Sequence, residues 1–296
     1  ATQRGDGNSA MEPDRDHELS HGIHCIDTGL LRPGLAACYI IVHKGHAAFV
    51  DTGPAPALPK LLDRLAALGL NPEQVDYLLP THVHLDHAGA TGALLAHLPR
   101  ARVVVHPRGA KHLIDPTALC AGAQAVYGEA AFAEHFREVL PVSAKRLVEM
   151  QVGMTLELQG RPLMFLDTPG HASHHYCVWD AHSQGVFTGD TFGLAYPELA
   201  SQQGPFILPP TTPVQFKPEV WQGSLDRLAE LAPARAYLTH FGCLATPLAV
   251  LPELRQRIDA LAGLAVDCER AYDPLAAIRE ALWQYLFAEL DGHGTP

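Results

Sequence analysis

Three histidines and one aspartate lie within six residues, directly after the short apolar segment 75–79. They occur in the sequence His82-Val83-His84-Leu85-Asp86-His87. Neutral imidazole and carboxylate are ligands of zinc, iron and manganese-like ions. Because side chains alternate along an extended segment, His82 and His84 share one face, whereas Asp86 and His87 lie past a bend and face elsewhere. The pattern predicts a metal-binding loop at the end of a strand, able to hold two ions side by side.

The composition is that of an ordinary globular protein. Of the 296 residues, 47% are hydrophobic and 18% are charged, and the formal net charge is −11. Nucleic acids and anionic membranes bind basic surfaces, so we expect neither as a partner. No apolar run approaches the length of a membrane span. We therefore expect a small-molecule substrate.

The cysteines and the N-terminal residues bear on compartment and domain organisation. Six widely spaced cysteines form no C-x-x-C pair, which is typical of reduced thiols in a cytoplasmic protein. We expect them to be structural, although Cys243, three residues beyond His240, is a candidate for lining a pocket. Residues 1–20 lack the layout of a signal peptide and are predicted to form a flexible tail. Residues 21–296 are predicted to form one domain.

Short apolar segments alternate with helical patterns, which is typical of an α/β protein. The predicted strands lie at 35–42, 47–50, 75–79, 102–106, within 147–158, and at 162–166, 176–179, 185–188 and 236–238. The predicted helices outside the segment 107–146 lie at 57–68, 89–98 and 220–231, with C-terminal helices over about 248–290. Residues 107–146 show no strand pattern, so we predict an inserted helical segment there.

A strand followed by a metal-competent residue recurs three more times. His171 follows Pro169-Gly170, Asp190 follows Gly189, and His240 follows Thr239. Each residue alone has a structural explanation, as a turn histidine, a helix cap or a buried core histidine. Residues at strand ends can converge on one edge of a sheet sandwich, where sites are commonly built. Together with the first cluster, the three residues predict one shared metal site.

The order H-x-H-x-D-H, then His, Asp and His, resembles the metallo-β-lactamase-fold hydrolase superfamily over roughly residues 24–252. The resemblance implies an α/β fold: an αββα sandwich of two mixed β-sheets flanked by helices. It also implies two divalent metal ions, most often zinc, with iron or manganese as alternatives. Carried over by position, it assigns His82, His84 and His171 to the first metal, Asp86, His87 and His240 to the second, and Asp190 to a bridge between them.

The ligand pattern of this chain differs from that of several branches of the superfamily, and these differences limit the reactions that we expect. Antibiotic-degrading members have a cysteine in place of the bridging aspartate and no histidine directly after the motif aspartate. Because this chain has Asp190 and His87 at these positions, we do not expect β-lactam hydrolysis. Flavodiiron oxygen reductases have glutamate where this chain has His84. Quorum-signal lactonases carry a tyrosine shortly after the bridging aspartate, and the nearest one here is Tyr196. Glyoxalase II-like thioesterases match the ligands, but their glutathione-binding basic residues have no identified counterpart.

We predict a dinuclear metal-dependent hydrolase of the glyoxalase II-like or lactonase-like branch. A metal-bridging hydroxide would attack an ester, thioester or lactone carbonyl. Two residues are predicted to assist catalysis: Asp86 would orient the hydroxide and accept its proton, and His175 would orient a metal ligand. The first alternative is an iron-dependent oxygenase or oxygen-binding di-iron protein on the same fold. The second is a metal-binding module without catalysis.

The predicted insert would lie over the metal edge as a lid or as the contact of a homodimer. Its apolar and aromatic side chains favour an apolar substrate wall, with helix packing as the other explanation: Leu119, Val126, Tyr127, Phe132 and Phe136. The loop after Asp190 adds Phe192, Tyr196 and Phe206 to the predicted pocket.

Overall fold

The computed structural model describes residues 17–211 and 215–295. Most of the predicted N-terminal tail therefore falls outside the described residues. Residues 17–20 belong to the described part and lie against the first strand, where the backbone N–H of Cys25 donates to the carbonyl of His17 at 2.9 Å.

The first half of the chain forms a mixed six-stranded sheet. Its strands lie side by side in chain order: β1 (Ile23–Asp27), β2 (Ala37–His43), β3 (His46–Val50), β4 (Val75–Leu79), β5 (Arg102–Val105) and β6 (Leu147–Glu149). The pairs β1–β2 and β2–β3 are antiparallel, and the pairs from β3 to β6 are parallel. Helical connections between the parallel strands make this arrangement possible.

The second half forms another mixed sheet of six strands: β7 (Thr155–Leu158), β8 (Arg161–Asp167), β9 (Tyr176–Asp180), β10 (Gly185–Gly189), β11 (Arg235–Leu238) and β12 (Gly242–Ala245). Only β10 and β11 pair in parallel, and the other neighbours are antiparallel. The predicted pair of mixed sheets is confirmed.

Nine helices flank the sheets within the described residues: α1 (Leu58–Ala67), α2 (Leu85–Ala88), α3 (Thr91–His97), α4 (Pro107–Ile114), α5 (Thr117–Tyr127), α6 (Glu129–His135), α7 (Pro218–Glu230), α8 (Pro247–Cys268) and α9 (Pro274–His293). The predicted insert contains α4, α5 and α6. Across the described part of the chain, no helix combines the length and the apolar composition that crossing a bilayer requires.

Alternate residues of the strands face two different apolar layers. Tyr39 of β2 and Phe187 of β10 point between the sheets, where their rings lie 5.4 Å apart. Their neighbours along the chain point outward: Ile40 packs under α1 and α3, and Val186 packs under α7 and α8. This period of two explains why both faces of each sheet are buried and why the sandwich has helices outside.

Candidate metal centre

The seven predicted metal ligands meet at one edge of the sandwich. His82 and His84 follow β4, and the short helix α2 that comes next carries Asp86 and His87. The other three follow strands of the second sheet: His171 comes after β8, Asp190 after β10 and His240 after β11. These three strands run in the same direction, since β8 and β10 are both antiparallel to β9 and β11 is parallel to β10. Their last residues therefore lie at the same edge.

His82, His84 and His171 form the first group of ligand atoms. Nε2 of His82 lies 2.9 Å from Nδ1 of His84, which lies 3.4 Å from Nε2 of His171. Two ligands of one tetrahedral zinc ion, each about 2.1 Å from the metal, are roughly 3.4 Å apart. The three nitrogens are therefore spaced as ligands of a single ion.

Asp86, His87 and His240 form a second group of similar size. Oδ2 of Asp86 lies 3.5 Å from Nε2 of His87 and 3.3 Å from Nε2 of His240. All ligand atoms of each group lie within 4.8 Å of one another. This group mixes nitrogen and oxygen donors, a set that suits zinc, iron or manganese.

Asp190 lies between the two groups and turns one oxygen toward each. Its Oδ2 lies 3.1 Å from Nε2 of His171 and 3.9 Å from Nε2 of His82. Its Oδ1 lies 3.2 Å from Nε2 of His87 and 3.4 Å from Nε2 of His240. This is the geometry expected of a carboxylate that bridges two ions.

Two buried atoms at the centre have no hydrogen-bond partner within the described residues. They are Nε2 of His87 and Oδ1 of Asp190, which lie 3.2 Å apart without the alignment of a hydrogen bond. A buried polar atom without a partner costs about 1–3 kcal/mol, so such atoms are rarely left in native structures. A metal ion bound by both would satisfy them, and the residues present therefore fit a metal centre.

Hydrogen bonds behind the histidines fix which ring nitrogen faces the centre. Nδ1–H of His171 donates to the carbonyl of Pro210 at 2.9 Å, and Nδ1–H of His240 donates to the carbonyl of Leu35 at 2.8 Å. His87 donates from Nδ1 to Oδ2 of Asp51 at 2.8 Å. Each bond turns Nε2 toward the ligand groups, where it can bind a metal ion, and holds the ring in place.

Asp51 is a site residue that the sequence analysis missed. It follows β3 directly, and besides His87 it accepts hydrogen bonds from the backbone N–H of Thr81 and the hydroxyl of Thr239, both at 2.7 Å. The signal that identified Asp190, a carboxylate at the end of an apolar strand, is also present at Asp51.

His175 lies behind Asp190 and does not face the ligand groups. It is fully buried, and its Nε2 accepts a hydrogen bond from the backbone N–H of Asp190 at 3.1 Å. Its Nδ1 lies 2.9 Å from the hydroxyl of Thr168 and 3.0 Å from that of Thr191. His175 is therefore hydrogen-bonded to the backbone of Asp190 and does not line the cavity.

Burial and charge set the protonation of the ligands. Burial and the neighbouring His171 lower the pKa of His84 to about 4, and burial also holds the pKa of His82 well below its usual value. Both are therefore neutral near pH 7, the form that binds metals. Burial would raise the pKa of Asp190, but His87, His171 and His240 hold it well below the usual range. Asp190 is therefore an anion.

A cavity of about 560 Å³ opens onto the ligand groups. One end is formed by ligands, including Asp86 and Asp190, and the walls come mainly from α5 and the segment after Asp190. The apolar and aromatic wall residues are Leu85, Ala118, Leu119, Ala123, Val126, Tyr127, Phe136, Leu194, Tyr196 and Pro210. Among the described residues that line the cavity, none is a lysine or an arginine.

Several predicted wall residues lie elsewhere. Phe132 packs against Phe136 with a ring separation of 5.9 Å, Phe192 is buried in the core under α7 and α8, and Phe206 lies beneath the guanidinium of Arg257. Cys243 is exposed on β12 and does not line the cavity. Aromatic composition alone could not separate wall from core, because both environments favour the same side chains.

His112 and His174 line the cavity, although the sequence analysis assigned them no role. The ring of His174 is stacked at 6.0 Å from that of His82, and burial with the neighbouring His84 lowers the pKa of His174 to about 3. The only sequence feature that could have indicated His174 is its position next to His175.

Residues 31–240 match the family model of the metallo-beta-lactamase superfamily. The metallo-beta-lactamase fold-containing protein ST1585 of Sulfurisphaera tokodaii is 27% identical over 243 residues, covering 80% of this chain and 84% of the relative. The crystal structure of ST1585 superposes with a TM-score of 0.64 at 26% identity, over 80% of this chain and 86% of that one.

Two further comparisons are with a hydrolase and with a di-iron protein. A hydroxyacylglutathione hydrolase of Aeromonas hydrophila is 46% identical over 153 residues, which are 52% of this chain and 45% of the relative. The chain thus spans about half the length of this relative. A structure described as a peroxy diiron species of the chemotaxis sensor ODP has a TM-score of 0.57 at 12% identity, over 81% of this chain and 92% of that one. That likeness concerns the fold alone.

Proposed function

The chain belongs to the metallo-beta-lactamase superfamily, and from this we propose that it is a dinuclear metal-dependent hydrolase of ester, thioester or lactone bonds. The observation that carries the proposal is Asp190, whose two oxygens face two separate groups of three ligands. Hydrolases among the relatives, such as the hydroxyacylglutathione hydrolase of A. hydrophila, support the reaction class. The histidine-rich donor set favours zinc, and iron and manganese also fit it.

Each group of ligands would hold one ion. The first ion would be bound by His82, His84 and His171. The second would be bound by Asp86, His87 and His240, and Asp190 would be shared between the two ions. When bound, a pair of divalent ions supplies hydroxide near neutral pH and polarises a substrate carbonyl.

Asp86 is the side chain best placed to handle a proton. Burial would raise its pKa, but His87 and His240 hold it below the usual range, so Asp86 is ionised at neutral pH. Its side chain lines the cavity. A carboxylate in this position can orient the attacking water and accept its proton. We therefore assign Asp86 as the catalytic base.

The cavity wall points to substrates with an uncharged apolar group beside the scissile bond. Leu119, Val126 and Tyr127 of α5 line the cavity together with Leu194 and Tyr196. Because none of the described lining residues is a lysine or an arginine, an anionic substrate tail would find no cationic side chain of that kind in the apolar wall. We propose alkyl or aryl esters, thioesters and lactones as the substrate class.

Elemental analysis followed by a substrate panel tests this proposal. We expect close to two metal ions per chain and turnover of apolar lactones, thioesters or aryl esters above that of phosphoesters. Asp190→Asn should lower metal content and hydrolysis together, because a neutral amide is a poor bridge, whereas Asp226→Asn, an exposed control, should change neither. One ion per chain, or full activity in Asp190→Asn, would contradict the proposal. Iron with oxygen uptake and no ester turnover would favour the oxygenase alternative.

A further inference from the structure

The outer face of α9 carries large apolar side chains that no described part of the chain covers. Trp283 is 60% exposed and Phe287 is 58% exposed, and their rings lie 4.9 Å apart. Leu275, two helical turns before Trp283, is 81% exposed. A helix with apolar residues on both faces is normally buried on both. The inner face of α9 packs against α8, so its outer face lacks a partner within the described residues.

This face is held in a fixed orientation. Near the end of α9, Glu289 accepts a hydrogen bond from Nε of Arg257 at 2.9 Å. His293 contacts the carbonyl of Gly204 through Nε2 at 3.1 Å. These contacts join α9 to α8 and to the segment that follows the metal ligand Asp190. The exposed face is therefore attached to the rest of the described chain at the C-terminal end of α9.

Opposite charges flank the aromatic pair at equal distances. Arg279 lies four residues before Trp283, and Asp291 lies four residues after Phe287. Neither charge has an ion-pair partner within 17–211 and 215–295. The four side chains form one i, i+4 ridge of the helix. We define this ridge, Arg279-Trp283-Phe287-Asp291, as the α9 ridge.

The α9 ridge is complementary to itself. If a second copy of α9 runs antiparallel about a two-fold axis near residue 285, Trp283 meets Phe287 of the second copy, and Arg279 meets its Asp291. Two i±4 ridges pack side by side when helices cross at about −50°, the commonest crossing in globular proteins. A two-fold interface requires each contact to occur twice, and the sequence of the ridge satisfies this requirement.

We propose that the α9 ridge docks a second copy of this chain and forms a homodimer. Residues 1–16 contain a single large apolar side chain, Met11, and cannot supply a matching apolar surface. A membrane is disfavoured because α9 carries three carboxylates and one arginine, and the chain has a net charge of −11. A dimer contact through the insert stays a separate prediction, because Val126 and Tyr127 of α5 line the cavity but are also exposed.

Charge reversal on the full chain tests this docking. Sedimentation equilibrium of the wild type should give the mass of two chains in the micromolar range. Arg279→Asp and Asp291→Arg should each oppose like charges at both ends of the interface and raise the dimer dissociation constant about 10-fold or more. The double variant R279D/D291R restores opposite charges and should restore the dimer. Arg270→Asp, an exposed control outside the ridge with the same charge change, should leave the mass unchanged.

Three results would overturn the proposal. The first is a wild type that stays monomeric across the micromolar range. The second is a dimer that neither single reversal weakens, which would move the interface to another face. The third is binding of the wild type, but not of Trp283→Glu, to phosphatidylserine-containing vesicles, which would make a membrane the occupant. Circular dichroism and metal content, expected to match the wild type in every variant, separate lost docking from lost folding.

Discussion

At the scale of single residues, Asp51 shows how one carboxylate joins distant parts of the chain to a candidate metal ligand, His87. Its four hydrogen-bonding partners are all donors: the backbone and hydroxyl of Thr81, the hydroxyl of Thr239, and Nδ1–H of His87. Only an acceptor with two charged oxygens satisfies all of them. The negative charge also makes His87 a better ligand, because a hydrogen-bonded anion raises the basicity of the ring.

Asp51→Asn should therefore weaken the second metal site more than the first. Removing a carboxylate behind a ligating histidine typically lowers metal affinity about 10–100-fold. Chelator competition followed by elemental analysis should show one ion lost at low chelator while the ion at His82, His84 and His171 is retained. Asp226→Asn on the exposed surface serves as the control. Equal loss of both ions would instead mean that Asp51 supports the whole edge.

The convergence of the seven candidate ligands was predictable from the sequence because each stands near a strand end or in one dense motif. Asp51 has the same local signature, but its role depends on Thr239, 188 residues away, and such a contact exists only once the two sheets have packed. The sequence did not predict His112 and His174 as cavity residues for a similar reason. They belong to α4 and to the segment after β8, and they meet only at the cavity.

At the scale of elements, the sequence predicted most strands and helices but missed β1, β12 and α2. β1 contains His24 and Asp27 within five fully buried residues, so its sequence lacks a clear apolar run. β12 has only four residues with alternating exposure and begins at a glycine. α2 is one turn of helix within the metal motif, where the ligand pattern hides the helical one. These elements are determined by pairing with neighbours more than by their own propensity.

The helix α5 has a testable role as the wall of the cavity. Val126 lines the cavity and is otherwise exposed, so its replacement should not disturb the core. Val126→Asp places a charge beside the apolar part of a substrate and should raise KM for apolar esters about 10-fold, with kcat changed less. Val152→Asp, at a valine that is 78% exposed against 68% for Val126 and lies away from this cavity, is the matched control. An unchanged KM, or a loss confined to kcat, would argue against α5 as the substrate wall.

At the scale of the whole molecule, one buried ion pair in the second sheet also joins that sheet to the turn before β1. Arg161 of β8 donates through Nε to Asp180 at the end of β9 at 2.9 Å, and through Nη1 to the carbonyl of His21 at 2.7 Å. Both charged side chains are fully buried. Removing one partner of such a pair leaves the other as an uncompensated buried charge, which costs about 3–5 kcal/mol.

Asp180→Asn should accordingly lower the free energy of unfolding by about 3–5 kcal/mol at pH 7. The surface pair of Arg255 and Asp226 offers a matched control, because breaking an exposed pair costs about 1 kcal/mol or less. Urea unfolding of Asp180→Asn and Asp226→Asn, each compared with the wild type, measures both costs. Equal losses of unfolding free energy in the two variants would mean that the buried Arg161–Asp180 pair stabilises the fold no more than the exposed pair does.

The same pair predicts how stability depends on pH. Burial would raise the pKa of Asp180, but hydrogen bonds from Arg161 and Ser183 hold it below the usual value. A carboxyl whose pKa is lower in the folded state contributes its full stability above the unfolded pKa of about 3.9, and loses it as pH falls through the folded value. The difference in unfolding free energy between wild type and Asp180→Asn should thus be constant from pH 7 to about pH 5 and shrink below about pH 4. Urea titrations across this range check the direction of the pKa shift. A difference that grows on acidification would require the pKa of Asp180 to be higher in the folded than in the unfolded state.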